Sequence, residues 1–162
     1  MPRDIRRLAL QTLYQIDVRG ESELDEIRQG IDDSAEFDPG GFRAAERQRA
    51  FELARAAFAA RARSDATAAE LAPTWPAHRQ PALDRSIIRL AIHEMRSETT
   101  NPKIVVNEAI ELAKAYSTEK SAAFINGVLD KVLKQVLAEQ SQVQPVKTGA
   151  VQSAEDATGG EG

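Results

Sequence analysis

Residues 101–136 read NPKIVVNEAIELAKAYSTEKSAAFINGVLDKVLKQV, and their apolar positions recur at intervals of three and four. That is the period of a helix with one buried face, not the alternation of a half-buried strand. Asn101 followed by Pro102 is a helix start: asparagine offers its side-chain oxygen as an N-cap, and proline suits the first helical position. The helix is expected to run to about Tyr116 through Val106, Ala109, Ile110 and Ala113. Ser117 or Thr118 then caps a last helix whose seam is Ile125, Val128, Leu129, Val132, Leu133 and Val136. Asn126-Gly127 falls inside it, where glycine costs about 1 kcal/mol relative to alanine. A close helix–helix approach at Gly127 is the expected reason.

The same period continues towards the N-terminus. From about Pro2 or Arg3 to Val18 runs a first helix with Ile5, Leu8, Ala9, Thr12, Leu13 and Ile16 inward and Gly20 ending it. A weaker, acidic helix follows Ser22, and Asp38-Pro39-Gly40-Gly41 reads as a loop. Arg43 to Arg63 reads as one long helix through Phe51, Leu53 or Ala54, and Phe58, with Ser64 capping a short helix to Leu71. Pro73 and Pro76 flank Trp75 in a turn, and Pro81 to Arg96 forms a further helix burying Leu83, Ile87, Ile88, Ala91 and Met95. The expected fold is all-α, with six to seven helices in two small packed bundles (residues 1–63 and 64–140) and a disordered tail over 141–162.

Composition bounds the chemistry. The chain has 162 residues, a formal net charge of −4 and no cysteine, which excludes thiolate metal sites, disulfides and cysteine nucleophiles. No apolar run reaches the roughly 18 residues of a membrane span, so a soluble, cytoplasmic protein is expected. His78 and His93 stand apart, without acidic neighbours at metal-ligating spacing, and no glycine-rich phosphate loop occurs. Glu108 and Glu111 lie one turn apart and read as a solvated face. No catalytic residue, metal or cofactor is expected.

Two clusters remain. At 100° per residue, Arg3, Arg7, Leu10 and Tyr14 fall opposite the core stripe of the first helix, flanked by Arg6 and Gln11. Arginines in a first turn oppose the helix macrodipole, so cations kept there point to an anionic partner. Guanidinium forks match phosphate, and an exposed ring can stack an unpaired base; the alternative is an ordinary solvated face. Around the last interhelical turn stand Lys114, Tyr116, Ser117, Thr118, Lys120, Ser121 and Phe124, which suit an anion and base platform or a capped junction with Phe124 in the core, which spacing alone slightly favours.

At these residues the sequence resembles the NusB family of bacterial antitermination factors. The segments that carry the likeness are Val106 to Lys114 (VNEAIELAK) and Ser121 to Asp130 (SAAFINGVLD), supported by Ala9 to Tyr14 (ALQTLY) and Asp84 to Ala91 (DRSIIRLA). The resemblance covers about residues 3 to 137. It implies an all-helical protein that binds single-stranded boxA RNA of ribosomal transcripts together with NusE, a small-subunit ribosomal protein, within an antitermination complex on RNA polymerase. It places Arg3, Arg6, Gln11 and Tyr14 on the RNA-facing side of the first helix, with Tyr116, Lys120, Ser121 and Phe124 in a second RNA-facing patch. Asp84 and Arg85 become candidates for the NusE-facing surface. Two other readings stay open: a helical protein–protein module with little RNA contact, and a relative of ribosomal RNA methyltransferases that carry such a domain. The second has no room here for a methyl-donor fold.

Overall fold

The computed structural model describes residues 2–36, 41–97 and 99–143. Seven α-helices follow one another, with no strand among the described residues: α1 (Arg3–Arg19), α2 (Leu24–Glu36), α3 (Ala44–Ala59), α4 (Arg61–Leu71), α5 (Ala82–Arg96), α6 (Pro102–Tyr116) and α7 (Glu119–Val143). Short 3-10 turns precede α2 and α5. Most of the expected loop over Asp38–Gly41, and the expected disordered tail beyond Val143, lie outside the described residues; α7 itself continues past Gln140 to Val143.

The punctuation follows local chemistry. Gly20 ends α1 with φ +97°, a backbone conformation that costs glycine little, and its N–H donates to Ile16 O at 2.9 Å. Asn101 caps α6, its Oδ1 accepting from the Lys103 N–H at 2.9 Å. Thr118 caps α7, its Oγ1 accepting from the Ser121 N–H at 3.1 Å. One boundary differs from expectation. The helix expected from Arg43 to Arg63 breaks at Ala60, where φ is −86° and ψ is 4°, and Ser64 sits buried inside α4 rather than capping it. Alanine has no turn signature, so no local residue marks that break.

α5 is the central helix. It packs against α1, α3, α4, α6 and α7, and it buries almost its whole circumference, including Asp84, Ser86, Arg89 and Glu94. A single apolar cluster runs from Ile5 and Leu13 of α1 through Phe51 of α3 and Ile92 of α5 to Leu129 of α7. Buried polar groups on α5 need partners, and they find them on its neighbours. Asp17 of α1 accepts from Arg85 Nε at 3.0 Å and from Arg89 Nη1 at 3.1 Å; Arg89 also forks onto Asp65 of α4 at 2.8 and 2.6 Å.

Gly127 corrects the expectation of a tight helix crossing. It is exposed, and a Cβ built there would meet nothing within 4 Å. Gly127→Ala is therefore expected to stabilise the fold by about 1 kcal/mol, the full helix-propensity difference. Denaturant unfolding measures this, and a destabilised variant would show that the position is crowded.

Candidate nucleic-acid interface

The geometry of the site starts with the direction of α1. Arg6 of α1 meets Glu94 near the end of α5, while Asp17 meets Arg85 near its beginning, so the two helices run antiparallel. Arg3 meets Glu108 of α6, and Tyr14 shares a concavity with Tyr116 at the end of α6, so α1 and α6, each packed on α5, run in the same direction. The outer face of α1 is thus Arg3, Arg7, Gln11, Tyr14 and Val18. Arg7 is half-buried and the other four are exposed. From Arg3 to Tyr14 this ridge is about 16 Å long at 1.5 Å per residue.

At its far end lies a concavity of about 490 Å³ lined by Leu10, Gln11, Tyr14, Gln15, Leu83 and Tyr116. The two tyrosines are among the few large apolar side chains left exposed, at 40% and 44%. Residues from the beginning of the chain and from the last interhelical turn therefore meet in one groove. Two aromatic rings, two leucines and two side-chain amides around one concavity supply the chemistry to stack an unpaired base and hydrogen-bond its edge. A second concavity of about 610 Å³ lies between α6 and α7, lined by residues that include Lys114, Ser117 and Asn126. Lys120 is exposed and Ser121 is half-buried at the start of α7.

Several expected site residues sit elsewhere. Arg6 is buried at 2% exposure, its Nε donating to both Glu94 carboxylate oxygens at 3.1 Å. It belongs to the interface between α1 and α5 and not to the RNA-facing side. Leu10, read as part of the outer stripe, is also buried. The reason is shared: α1 packs on both α3 and α5, so its buried arc spans about 160° and takes in positions that one core stripe would leave outside. Phe124 is half-buried, its ring 4.2 Å from that of Trp75 in an edge-to-face pair at 86°, so it packs α7 onto the turn before α5 and does not share the groove.

Asp84 and Arg85 do not form a partner-facing pair. Asp84 is 1% exposed and accepts a hydrogen bond from Ser117 Oγ at 2.6 Å. Arg85 is spent on Asp17 and on the carbonyl of Ala77 at 3.0 Å. Arg3, Arg7 and Lys114 have carboxylate neighbours of their own. Arg3 forks onto Glu108 at 2.9 and 3.1 Å, which holds the Glu108 carboxyl below its ordinary range. Arg7 stands 3.5 Å from Asp4, and Lys114 stands 3.8 Å from Glu111. These internal anions answer part of the dipole argument, since the arginines of α1 are already partnered without an outside ligand. Sequence reasoning missed Gln15, Leu83 and Glu108; Gln15, one turn after Gln11 on the same helix, carried a legible signal.

The model of the NusB family matches residues 3–134. A transcription antitermination protein NusB of Symbiobacterium thermophilum is 37% identical over 135 residues, covering 82% of this chain and 88% of its own. Another, of Anaeromyxobacter sp., is 40% identical over 130 residues, covering 78% and 85%. Among solved structures, NusB of T. maritima superposes with a TM-score of 0.71 at 24% identity, covering 88% of this chain and 99% of the other. A complex of NusB and NusE with dsRNA contains a chain that superposes at 0.68 with 22% identity, covering 82% and 96%. At those identities the superpositions speak to the fold, which is shared. The family match over most of the described residues, together with relatives well above 30% identity, settles the assignment: the chain belongs to the NusB family.

Proposed function

We propose that this chain is a non-catalytic RNA-binding antitermination factor that grips single-stranded, boxA-type RNA of ribosomal transcripts together with NusE and joins them to the antitermination complex on RNA polymerase. The observation that carries the RNA reading is the groove in which Tyr14 and Tyr116 stand together with Gln11 and Gln15, at the end of a ridge that begins with Arg3 and Arg7. The rings stack a base, the amides meet its edge, and Arg3, Arg7, Lys114 and Lys120 contact phosphates. The NusE part is supported by kinship to antitermination proteins and by the shared fold of a chain solved with NusE and RNA.

Four cations make a weak binder. At about −0.7 per neutralised phosphate, the logarithmic salt slope on single-stranded RNA is expected to be about −3. A partner that touches the same RNA joins two weak contacts into one bidentate complex and raises affinity through effective concentration. Titration of a boxA-like RNA with and without NusE, at two salt concentrations, tests both statements. Absence of any gain from NusE would sink the cooperative mechanism. Tight NusE binding with no salt-sensitive RNA binding would favour the protein–protein module instead.

The Arg3–Glu108 fork adds a further expectation. In the free protein Glu108 stands where a phosphate would bind, so RNA must displace it from Arg3. Glu108→Gln is expected to tighten RNA binding about two- to five-fold, the worth of an exposed ion pair. Looser binding in the same titration would mean that Glu108 holds Arg3 in its RNA-competent orientation.

A further inference from the structure

Resting on the RNA reading above, we propose that Asp84 is a positioning residue for the groove: its buried carboxylate holds the end of α6, and with it the Tyr116 ring, at the separation from Tyr14 that admits a base. The two tyrosines differ in how the fold supports them. Tyr14 stands inside α1, with more than a full turn of helix beyond it. Tyr116 is the last residue of α6, where helices fray and the final carbonyls lack intrahelical partners. Only residues 117 and 118 separate α6 from α7. Each uses its hydroxyl, but towards different ends. Thr118 turns back into α7 as its cap, whereas Ser117 reaches out of the turn and donates to Asp84 Oδ1 at 2.6 Å. This bond ties the residue after Tyr116 to the first turn of α5, directly beside Leu83 of the groove.

Asp84 Oδ2 is buried and finds no hydrogen-bond partner among the described residues. A buried acceptor left unmade is costly, and the favourable place of an anion in the first turn of α5 offsets only part of that cost. A single strong, short anchor on the Ser117 hydroxyl is what it provides. Asp84 touches no ligand in this arrangement. It acts through Ser117 on the placement of Tyr116, and so on the stacking part of RNA binding rather than on the phosphate part.

The test uses the full chain and two single-stranded boxA-like RNA oligomers, one intact and one abasic at the nucleotide whose removal weakens wild-type binding most. Ser117→Ala is expected to lower affinity for the intact oligomer on the order of ten-fold, the worth of one stacked base. Affinity for the abasic oligomer and the salt slope should stay close to wild type, while the melting temperature falls because the buried Asp84 carboxylate loses its donor. Asp84→Asn, which keeps an acceptor at Oδ1, should restore discrimination between the two oligomers that Asp84→Ala loses. Should Asp84→Ala fail to fold, Ser117→Ala still decides the matter, because it removes one hydroxyl from a half-buried helix end. Wild-type discrimination retained by Ser117→Ala overturns the positioning role while leaving RNA binding intact. No binding of the intact oligomer by the wild-type chain overturns the RNA reading itself, a different result.

Discussion

Arg6→Ala is expected to destabilise the fold by about 3–5 kcal/mol, the cost of breaking a buried ion pair from one side. Arg6 and Glu94 are 2% and 3% exposed, and the guanidinium Nε lies 3.1 Å from both carboxylate oxygens. Removing the cation strands a carboxylate at the junction of α1 and α5. The pH dependence has a definite sign. Burial already raises the Glu94 pKa above its ordinary value, against the opposing pull of Arg6. Without Arg6 that pull is lost and the folded-state value climbs further. A carboxyl whose pKa is higher folded than unfolded lends its stability below the unfolded value and loses it as pH rises through the folded one. The variant should therefore lie closest to wild type in mild acid and diverge as pH rises from the carboxylate range upwards. Replacing both partners with apolar residues of similar volume, as in Arg6→Met with Glu94→Leu, should recover most of the loss. Thermal melts across pH measure this; an Arg6→Ala variant as stable as wild type would return Arg6 to the protein surface and to the RNA-facing role.

That pair also marks where the sequence stops being legible. Helix number and most boundaries can be read because an apolar period and a few caps, such as Gly20 and Asn101-Pro102, are local signals. Most of the outer stripe of α1 can be read for the same reason: Arg3, Arg7 and Tyr14, with Gln11 at their flank, follow from 100° per residue. What cannot be read is the width of a buried arc, because it depends on how many helices a given helix touches. α1 touches several, so Arg6 and Leu10 go inside. α5 touches five, so Asp84, Arg89 and Glu94 go inside with partners far along the chain at Ser117, Asp65 and Arg6. A charged residue on the edge of a stripe reads as solvent-facing until its counter-ion is known. Gly127 failed in the opposite direction: mid-helix glycine reads as packing, and here it faces open space. The convergence of Tyr14 and Tyr116 could be proposed from resemblance, but the period of either helix alone leaves their separation undetermined.

Because the two rings line one groove, their contributions to RNA binding are expected to be coupled. Stacking on an aromatic ring contributes about 1–3 kcal/mol per base by alanine substitution. Tyr14→Ala and Tyr116→Ala should each weaken binding of single-stranded boxA-like RNA about ten- to one-hundred-fold. If one base sits between them, the first substitution already spoils its stacking, and the second then costs less. The double variant should fall short of the summed loss by more than about 0.5 kcal/mol, the additivity expected of independent sites. Tyr14→Phe and Tyr116→Phe keep the ring and should bind nearly as wild type unless a phenol hydroxyl contacts the RNA. Neither alanine variant should unfold the chain, since both rings are exposed and outside the apolar cluster that runs from α1 to α7. Strict additivity would assign the rings to different bases and divide the groove into two separate contacts. No loss in either single variant would remove stacking from the mechanism, leaving only the cations of the ridge to hold the transcript.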